Sequence, residues 1–127
     1  MVTLYRAAKD DYVDQGYSFT ADREVAEIYR TNPGYGGATI YCADVDPEDA
    51  QILDLRGCSW GDVERRLDVA VPEGIGLDEW IPRDPEILDA ARDAGYLWIL
   101  VDESYPAEAT TWIWAGRYDD EVELEAA

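Results

Sequence analysis

Histidine is absent from the 127-residue sequence. Because histidine is the side chain that most often acts as a general base near neutral pH and as a metal ligand, sites that depend on it are excluded. Ser–His and Cys–His nucleophile pairs are excluded as well. The only two cysteines, Cys42 and Cys58, lack the spacing of metal-binding motifs, so we expect no metal cofactor. The sequence permits a disulfide between them, but a reducing compartment would keep both thiols free.

Basic residues are scarce. Ten Lys and Arg stand against 29 Asp and Glu, and the net charge is −19. Such a charge repels phosphate backbones, so we expect no direct binding to DNA or RNA. The acidic surface could face a basic surface on a protein partner, including one that normally holds nucleic acid. It could equally be an adaptation for solubility in a salty cytoplasm, and both interpretations remain open.

Long apolar runs are missing too. No run approaches the roughly 20 residues that a membrane-spanning helix requires. The segment Met1–Tyr5 lacks the basic region and apolar stretch of a signal peptide, so we expect a cytoplasmic protein without membrane contact. The length and an apolar content of 47 % predict one folded domain over residues 1–127. No pattern specifies an oligomeric state.

Helical and strand patterns alternate irregularly along the chain. Strand patterns cover residues 2–6, 17–20, 38–46, 51–55, 96–101 and 110–115, with an acidic tail over 117–125 as a candidate edge strand. Helical patterns cover residues 23–29, 60–69 and 85–94, and residues 70–83 are predicted to form a long irregular connection. Because helices interrupt the strands without regular βαβ alternation, we predict an α+β fold. Helices would flank a split or strongly bent, mainly antiparallel sheet.

The helix predicted after residue 22 has two candidate caps, Thr20 and Asp22. We expect it to carry four residues toward one face. They are Val25, Ala26, Ile28 and Tyr29.

Three features in the first third could bind a ligand. Arg6 ends the first strand, where it could hold a phosphate bidentately or simply offset the acidic surface. Ser18 and Thr20 alternate, so both hydroxyls lie on one strand face, where they could bind a ligand or serve as turn and cap groups. Tyr29 could stack on an aromatic ring or belong to the core.

Two groups of carboxylates are candidate catalytic acids. Asp102 and Glu103 follow the apolar run Trp98–Val101, and acids at the end of a buried strand lie where a cleft can form. The alternative is an ordinary polar strand end. The second group, Glu121, Glu123 and Glu125, would share one strand face near the terminus, where a solvated tail is the competing interpretation.

The order of these features resembles the ADP-ribosyltransferase superfamily. Tyr5-Arg6 corresponds to the first-strand motif, residues 18–20 to the hydroxyl-rich second strand, and Tyr29 to the aromatic helix that follows. The segments 91–96, 102–103 and 110–112 are similar to the end of small phage ADP-ribosyltransferases that act as anti-CRISPR proteins. The resemblance implies an ADP-ribosyltransferase-like domain that uses NAD as co-substrate and no metal.

The resemblance also implies roles for individual residues. Asp102 matches the catalytic acid better than its neighbour Glu103 does, although the Glu-x-Glu spacing of arginine-modifying relatives occurs only at Glu121–Glu123. Arg6 would bind the pyrophosphate of NAD, and Tyr17 and Tyr29 would stack on nicotinamide. The implied NAD-binding residues are Tyr5, Arg6, Tyr17, Ser18, Thr20 and Tyr29.

Two functional hypotheses follow. In the first, the protein transfers ADP-ribose from NAD to a macromolecular target, a protein with a basic surface, as a phage counter-defence protein or a toxin. In the second, which the charge favours, it is a non-enzymatic acidic inhibitor that mimics nucleic acid and occupies a basic groove on a partner.

Overall fold

The computed structural model describes residues 2–8, 14–31, 39–48, 51–102, 110–116 and 124–126, and within them every side chain except those of Tyr29 and Thr31. The strands are β1 (Val2–Ala8), β2 (Ser18–Thr20), β3 (Thr39–Val45), β4 (Ile52–Asp54), β5 (Trp98–Asp102), β6 (Thr110–Trp114) and β7 (Glu125–Ala126). The helices are α1 (Arg23–Thr31), α2 (Trp60–Leu67), α3 (Leu77–Trp80) and α4 (Pro85–Asp93), with a 3₁₀ helix at Ile81–Arg83.

All seven strands belong to one sheet, in the order β4-β5-β6-β2-β1-β3-β7. Only β4 and β5 run parallel, and the other neighbours are antiparallel. The predicted α+β class, with a mainly antiparallel sheet and flanking helices, is confirmed. The described strands form a continuous sheet that is not strongly curled, in place of the split or strongly bent form that we expected.

The two faces of the sheet are packed differently. Trp98 pairs with Trp114 and Ile99 with Ile113, so alternate residues of β5 and β6 point to opposite faces. One face contributes to a helix-side cluster of Leu53, Leu55, Val63, Ile81, Ile87, Leu88, Ala91, Ile99, Val101, Ile113 and Ala115. The other carries an aromatic cluster of Leu4, Phe19, Val45, Trp98, Leu100, Trp112 and Trp114.

Local signals in the sequence set the start of α4. The Asp84 carboxylate accepts hydrogen bonds from the N–H groups of Glu86 and Ile87, and Pro85 takes the first helical position, where the helix predicted over residues 85–94 begins. Asp84 also accepts a 2.8 Å hydrogen bond from Nε1 of Trp80 in α3. The cap therefore ties α4 to the preceding helix.

Two local predictions were wrong. Residues 70–83 are not wholly irregular, because they contain α3 and the 3₁₀ helix, whose Ile81 is fully buried in the helix-side cluster. Ile28 does not share the buried face of α1, since it is 67 % exposed. At 100° per residue, Ile28 lies about 110° from the centre of the stripe that Val25 and Ala26 define.

Both cysteines are free thiols. Among the described helices, none combines the length and the apolar character needed to cross a lipid bilayer.

Candidate active site

Arg6 and Tyr17 lie together on the face of the sheet that carries the aromatic cluster. The Arg6 guanidinium is 4.3 Å from the centroid of the Tyr17 ring, and its Nη1 donates a 3.0 Å hydrogen bond to the carbonyl oxygen of Ser18. A cation over an aromatic face adds electrostatic attraction to this hydrogen bond. Tyr17 in turn packs against the aromatic cluster. The structure therefore holds a half-buried positive charge at the border of that cluster.

The other candidate ligand groups of this region point to the opposite face. Tyr5 lies opposite Thr20 in the β1–β2 ladder, so it shares a face with Thr20 and Ser18 and not with Arg6. Arg23 of α1 lies over the Tyr5 ring at 5.9 Å. Thr20 is buried, and its hydroxyl accepts a 3.1 Å hydrogen bond from the Asp22 N–H. The structure thus divides the predicted NAD-binding residues between two faces of the sheet.

Both candidate caps of α1 contribute to its start. The backbone N–H of Asp22 donates to the Thr20 hydroxyl, and the Asp22 carboxylate accepts a 2.9 Å hydrogen bond from the Glu24 N–H. The Thr20 hydroxyl is therefore engaged in the turn that leads into the helix.

Some predicted residues cannot be located at the site. Tyr29 belongs to α1, but its side chain is not among those described, and Glu103, Glu121 and Glu123 lie outside the described residues. Glu125 is exposed on β7 and lies opposite Cys42 of β3. Its strand is at the far edge of the sheet from β5.

Asp102 is exposed at the end of β5, opposite Thr110, on the same face as Arg6. Its Oδ2 accepts a 2.7 Å hydrogen bond from the backbone N–H of Gly57, in the loop between β4 and α2. Its Oδ1 accepts no hydrogen bond from any described residue. The fold therefore holds one oxygen, and within the described part of the chain the other accepts no hydrogen bond.

Next to Asp102 lies a close ion pair. Arg56 donates from Nε to Asp54 Oδ1 at 2.9 Å and from Nη2 to Asp54 Oδ2 at 2.7 Å. The hydrogen bond from the guanidinium lowers the pKa of the Asp54 carboxyl, and the same bond raises the pKa of Arg56. The negative charge of Asp102 also contributes to the raised pKa of Arg56.

Arg6 and Asp102 share a face but do not touch. Strands β6 and β2 lie between β5 and β1, and the register places Arg6 in line with Leu100, two residues before Asp102. Three strand spacings of about 4.8 Å and an offset of about 7 Å along the strands separate the two residues by roughly 16 Å. Trp112 and Phe19 occupy the intervening strands, and both are buried. A ligand that contacts both charged groups must therefore be elongated, as a dinucleotide is.

The sequence analysis did not identify Asp54, Arg56 and Gly57. A signal for them exists: an Asp two residues before an Arg and three before a Gly, at the end of a predicted strand, is typical of a side-chain-stabilised turn. That turn lies beside Asp102 only because β4 and β5 are parallel neighbours.

Comparisons of the chain with protein-family models, with curated proteins and with solved structures gave no match. Within the described residues, no group of three or more cysteine or carboxylate side chains could hold a metal ion.

Proposed function

We propose that the protein is an NAD-dependent ADP-ribosyltransferase that acts in the cytoplasm on a protein with a basic surface. The observation that carries the proposal is the state of Asp102, whose Oδ2 is held by a backbone N–H while Oδ1 accepts no hydrogen bond from the residues that the structure describes. Arg6, on the same face, supplies a positive charge for the other end of an elongated anionic ligand. A role as a phage counter-defence protein or a toxin would follow from the same activity.

The chemistry needs few groups. The bond between the nicotinamide nitrogen and C1′ of the ribose breaks, its electron pair leaves with nicotinamide, and positive charge develops on the ribose. The Asp102 carboxylate would stabilise that charge. A nucleophile on the target then bonds to C1′ and loses its proton to solvent. No step requires a histidine.

Arg6 has the role of an anchor in this proposal. Its guanidinium is oriented by the Ser18 carbonyl and by the Tyr17 ring, so it loses little freedom when it binds a pyrophosphate. The local positive charge also offsets the repulsion between an anionic co-substrate and a chain of net charge −19.

The test measures nicotinamide released from NAD with water as the acceptor, which requires no knowledge of the target. Replacing Asp102 by Ala should reduce the rate by about 10²–10³-fold while the protein stays folded, because one stabilising group is worth that much. Glu64→Gln, which removes an exposed acid on α2, is the matched control and should leave the rate unchanged. Wild-type protein that neither binds NAD at millimolar concentration nor releases nicotinamide would contradict the proposal.

The net charge favours the second candidate, an acidic inhibitor that occupies a basic groove. The distribution of charge in the described residues gives it less support. Exposed acids occur on eight of the described helices and strands, so one groove could meet only some of them. Examples are Glu24, Asp44, Glu64, Glu86 and Glu125.

A high-salt wash separates the two candidates. An inhibitor held by charge dissociates as salt screens its exposed carboxylates over about 8 Å or less, and the partner regains full activity with unchanged mass. An enzyme leaves an NAD-dependent covalent mass increase on the partner after the wash. The inhibitor should also tolerate Asp102→Ala.

A further inference from the structure

The loop between β4 and α2 begins as a tightly bonded turn. Asp54 Oδ1 accepts a 3.0 Å hydrogen bond from the backbone N–H of Arg56, and the Arg56 guanidinium adds one bond to each oxygen of the Asp54 carboxylate. The Cys58 N–H donates to the Leu55 carbonyl at 3.1 Å. Arg66 of α2 donates from Nη1 to the Asp54 carbonyl at 3.0 Å. The turn is thus closed by its own side chains and braced by the following helix.

The same turn is attached to β5 at two points. The Leu55 N–H donates to the Leu100 carbonyl at 2.9 Å, which extends the parallel ladder by one bond. The Gly57 N–H then donates to Asp102 Oδ2 at 2.7 Å. Gly57 has φ of +73° and no atom within 4 Å of where a Cβ would stand, so the backbone conformation and not space favours glycine there. That conformation aims the N–H at Asp102.

We propose that this turn is a positioning device for Asp102, in which the Asp54–Arg56 pair holds the Gly57 N–H against one carboxylate oxygen. The inference rests on the function proposed above, since it deepens the account of that site. Asp54, Arg56 and Gly57 are positioning residues, because they act through Asp102.

Two physical arguments support this role. A hydrogen bond from a backbone N–H to a carboxylate is charge-assisted and directional, so it restricts the side-chain rotamer of an otherwise exposed aspartate. Among the described residues, the Gly57 N–H is the group that bonds the Asp102 carboxylate, so this bond contributes to its orientation. Breaking the Asp54–Arg56 pair would release the turn and let the carboxylate rotate away from a reacting centre, and misplacement by about 1 Å can cost up to 100-fold in rate.

The experiment uses the full chain and two readouts. The first is the Gly57 amide signal in a proton–nitrogen NMR spectrum, which reports the bond to Asp102 without any substrate. Asp102→Ala defines its position when the bond is lost, and Asp54→Ala should move the signal toward that position. Asp54→Asn keeps an oxygen for the Arg56 N–H and should move it less. Glu27→Ala breaks an exposed Glu–Arg pair on α1 and should not move it.

The second readout is the rate of nicotinamide release. Asp54→Ala should lower kcat about tenfold with little change in KM for NAD, because it disturbs the orientation of the acid and not the binding of the ligand. Arg56→Lys keeps the positive charge without the two-point bond and should lie between wild type and Asp54→Ala.

The outcomes are distinguishable. A Gly57 signal that stays in place in Asp54→Ala overturns the positioning proposal, whatever the activity. An inactive wild-type protein whose Gly57 signal still responds to Asp54→Ala contradicts the proposed enzyme function but leaves the coupling between the pair and Asp102 standing. An unchanged kcat despite a moved Gly57 signal shows that Asp102 needs no such positioning. That result overturns the role of the turn in catalysis.

Discussion

The two faces of β5 and β6 are built from different side chains. The helix-side cluster is aliphatic, and its strand residues meet side chains from α2, the 3₁₀ helix and α4. In the aromatic cluster every described member comes from a strand, and four of the seven are Phe or Trp. Trp98 makes edge-to-face contacts with Phe19, Trp112 and Trp114 at centroid distances of 5.3, 6.1 and 4.9 Å.

This difference shows two ways to bury a strand pair. Helices supply a second layer of side chains, so small aliphatic residues suffice on the face that they cover. Large rings bury more surface each and contact one another along and across the strands, so they fill the space with fewer residues. The ring contacts between described residues share one centre, Trp98, whereas the helix-side cluster is built from many smaller side chains. We therefore expect the two faces to respond differently to truncation.

The largest effect should come from Trp98→Ala. The substitution removes the ring that contacts three others and should lower the free energy of unfolding by about 3–5 kcal/mol. Ile99→Val, on the helix-covered face of the same strand, should cost only about 0.5–1.5 kcal/mol. Chemical denaturation followed by fluorescence and by far-UV circular dichroism measures both values. A loss well below about 3 kcal/mol for Trp98→Ala would show that the aromatic cluster does not depend on this ring.

A smaller effect should come from adding one methyl group at the border of the aromatic cluster. A Cβ on Gly116 would lie 2.6 Å from Cε2 of the Trp114 indole, so the buried ring must shift. We expect Gly116→Ala to destabilise by about 1–3 kcal/mol.

Gly61→Ala is the matched control. Its nearest atoms, in Arg65 and Ser59, would be 3.6 Å from the new Cβ, and the helical position should give a gain of up to about 1 kcal/mol. The same denaturation assay applies, and an unaffected Gly116→Ala variant would show that the aromatic cluster has free space.

The smallest effect concerns pH. Residues 98–101 and 111–114 include no ionisable side chain, so these segments should add no pH dependence to the stability of either face. The stability contributed by Asp54 should depend on pH, because the hydrogen bond from Arg56 lowers the pKa of its carboxyl in the folded protein below the ordinary value of 3.8. Its contribution is present above that value and is lost as the pH falls through the lowered pKa.

Asp54→Asn should therefore be less stable than wild type at pH 7, by no more than about 1 kcal/mol for an exposed pair, and the difference should shrink as the pH falls below 3.8. Urea denaturation at several pH values measures it. A difference that is constant with pH would mean that the Asp54 charge contributes nothing.

Much of the secondary structure could be predicted from local patterns. The apolar runs before Asp102 and after Thr110 identified two buried strands, and Asp84-Pro85-Glu86 identified the start of α4. The prediction failed for α3 and for Ile28. Tertiary packing explains both failures. The helix α3 leads into Ile81, which is buried, and α1 buries the face that carries Val25 and Ala26 and leaves Ile28 exposed.

The candidate site also has features that local patterns predict and features that they do not. Alternation alone placed Ser18 and Thr20 on one face, and the position after an apolar strand singled out Asp102. Alternation also puts the neighbours Tyr5 and Arg6 on opposite faces. Only the register of β1 against β2 decides that Tyr5, and not Arg6, shares a face with Thr20. The contact between Gly57 and Asp102 joins residues 45 positions apart. No local pattern specifies it.

The sequence by itself therefore determined the fold class, the strand and helix types, the acidic charge and the absence of histidine chemistry. These depend on composition and on periods of two or 3.6 residues, which are local. The tertiary structure alone decided the strand order, which face each strand residue meets, and which turn lies beside Asp102. Those features depend on contacts between segments that are far apart in the sequence. Such contacts form only when the whole chain folds, so no local pattern specifies them.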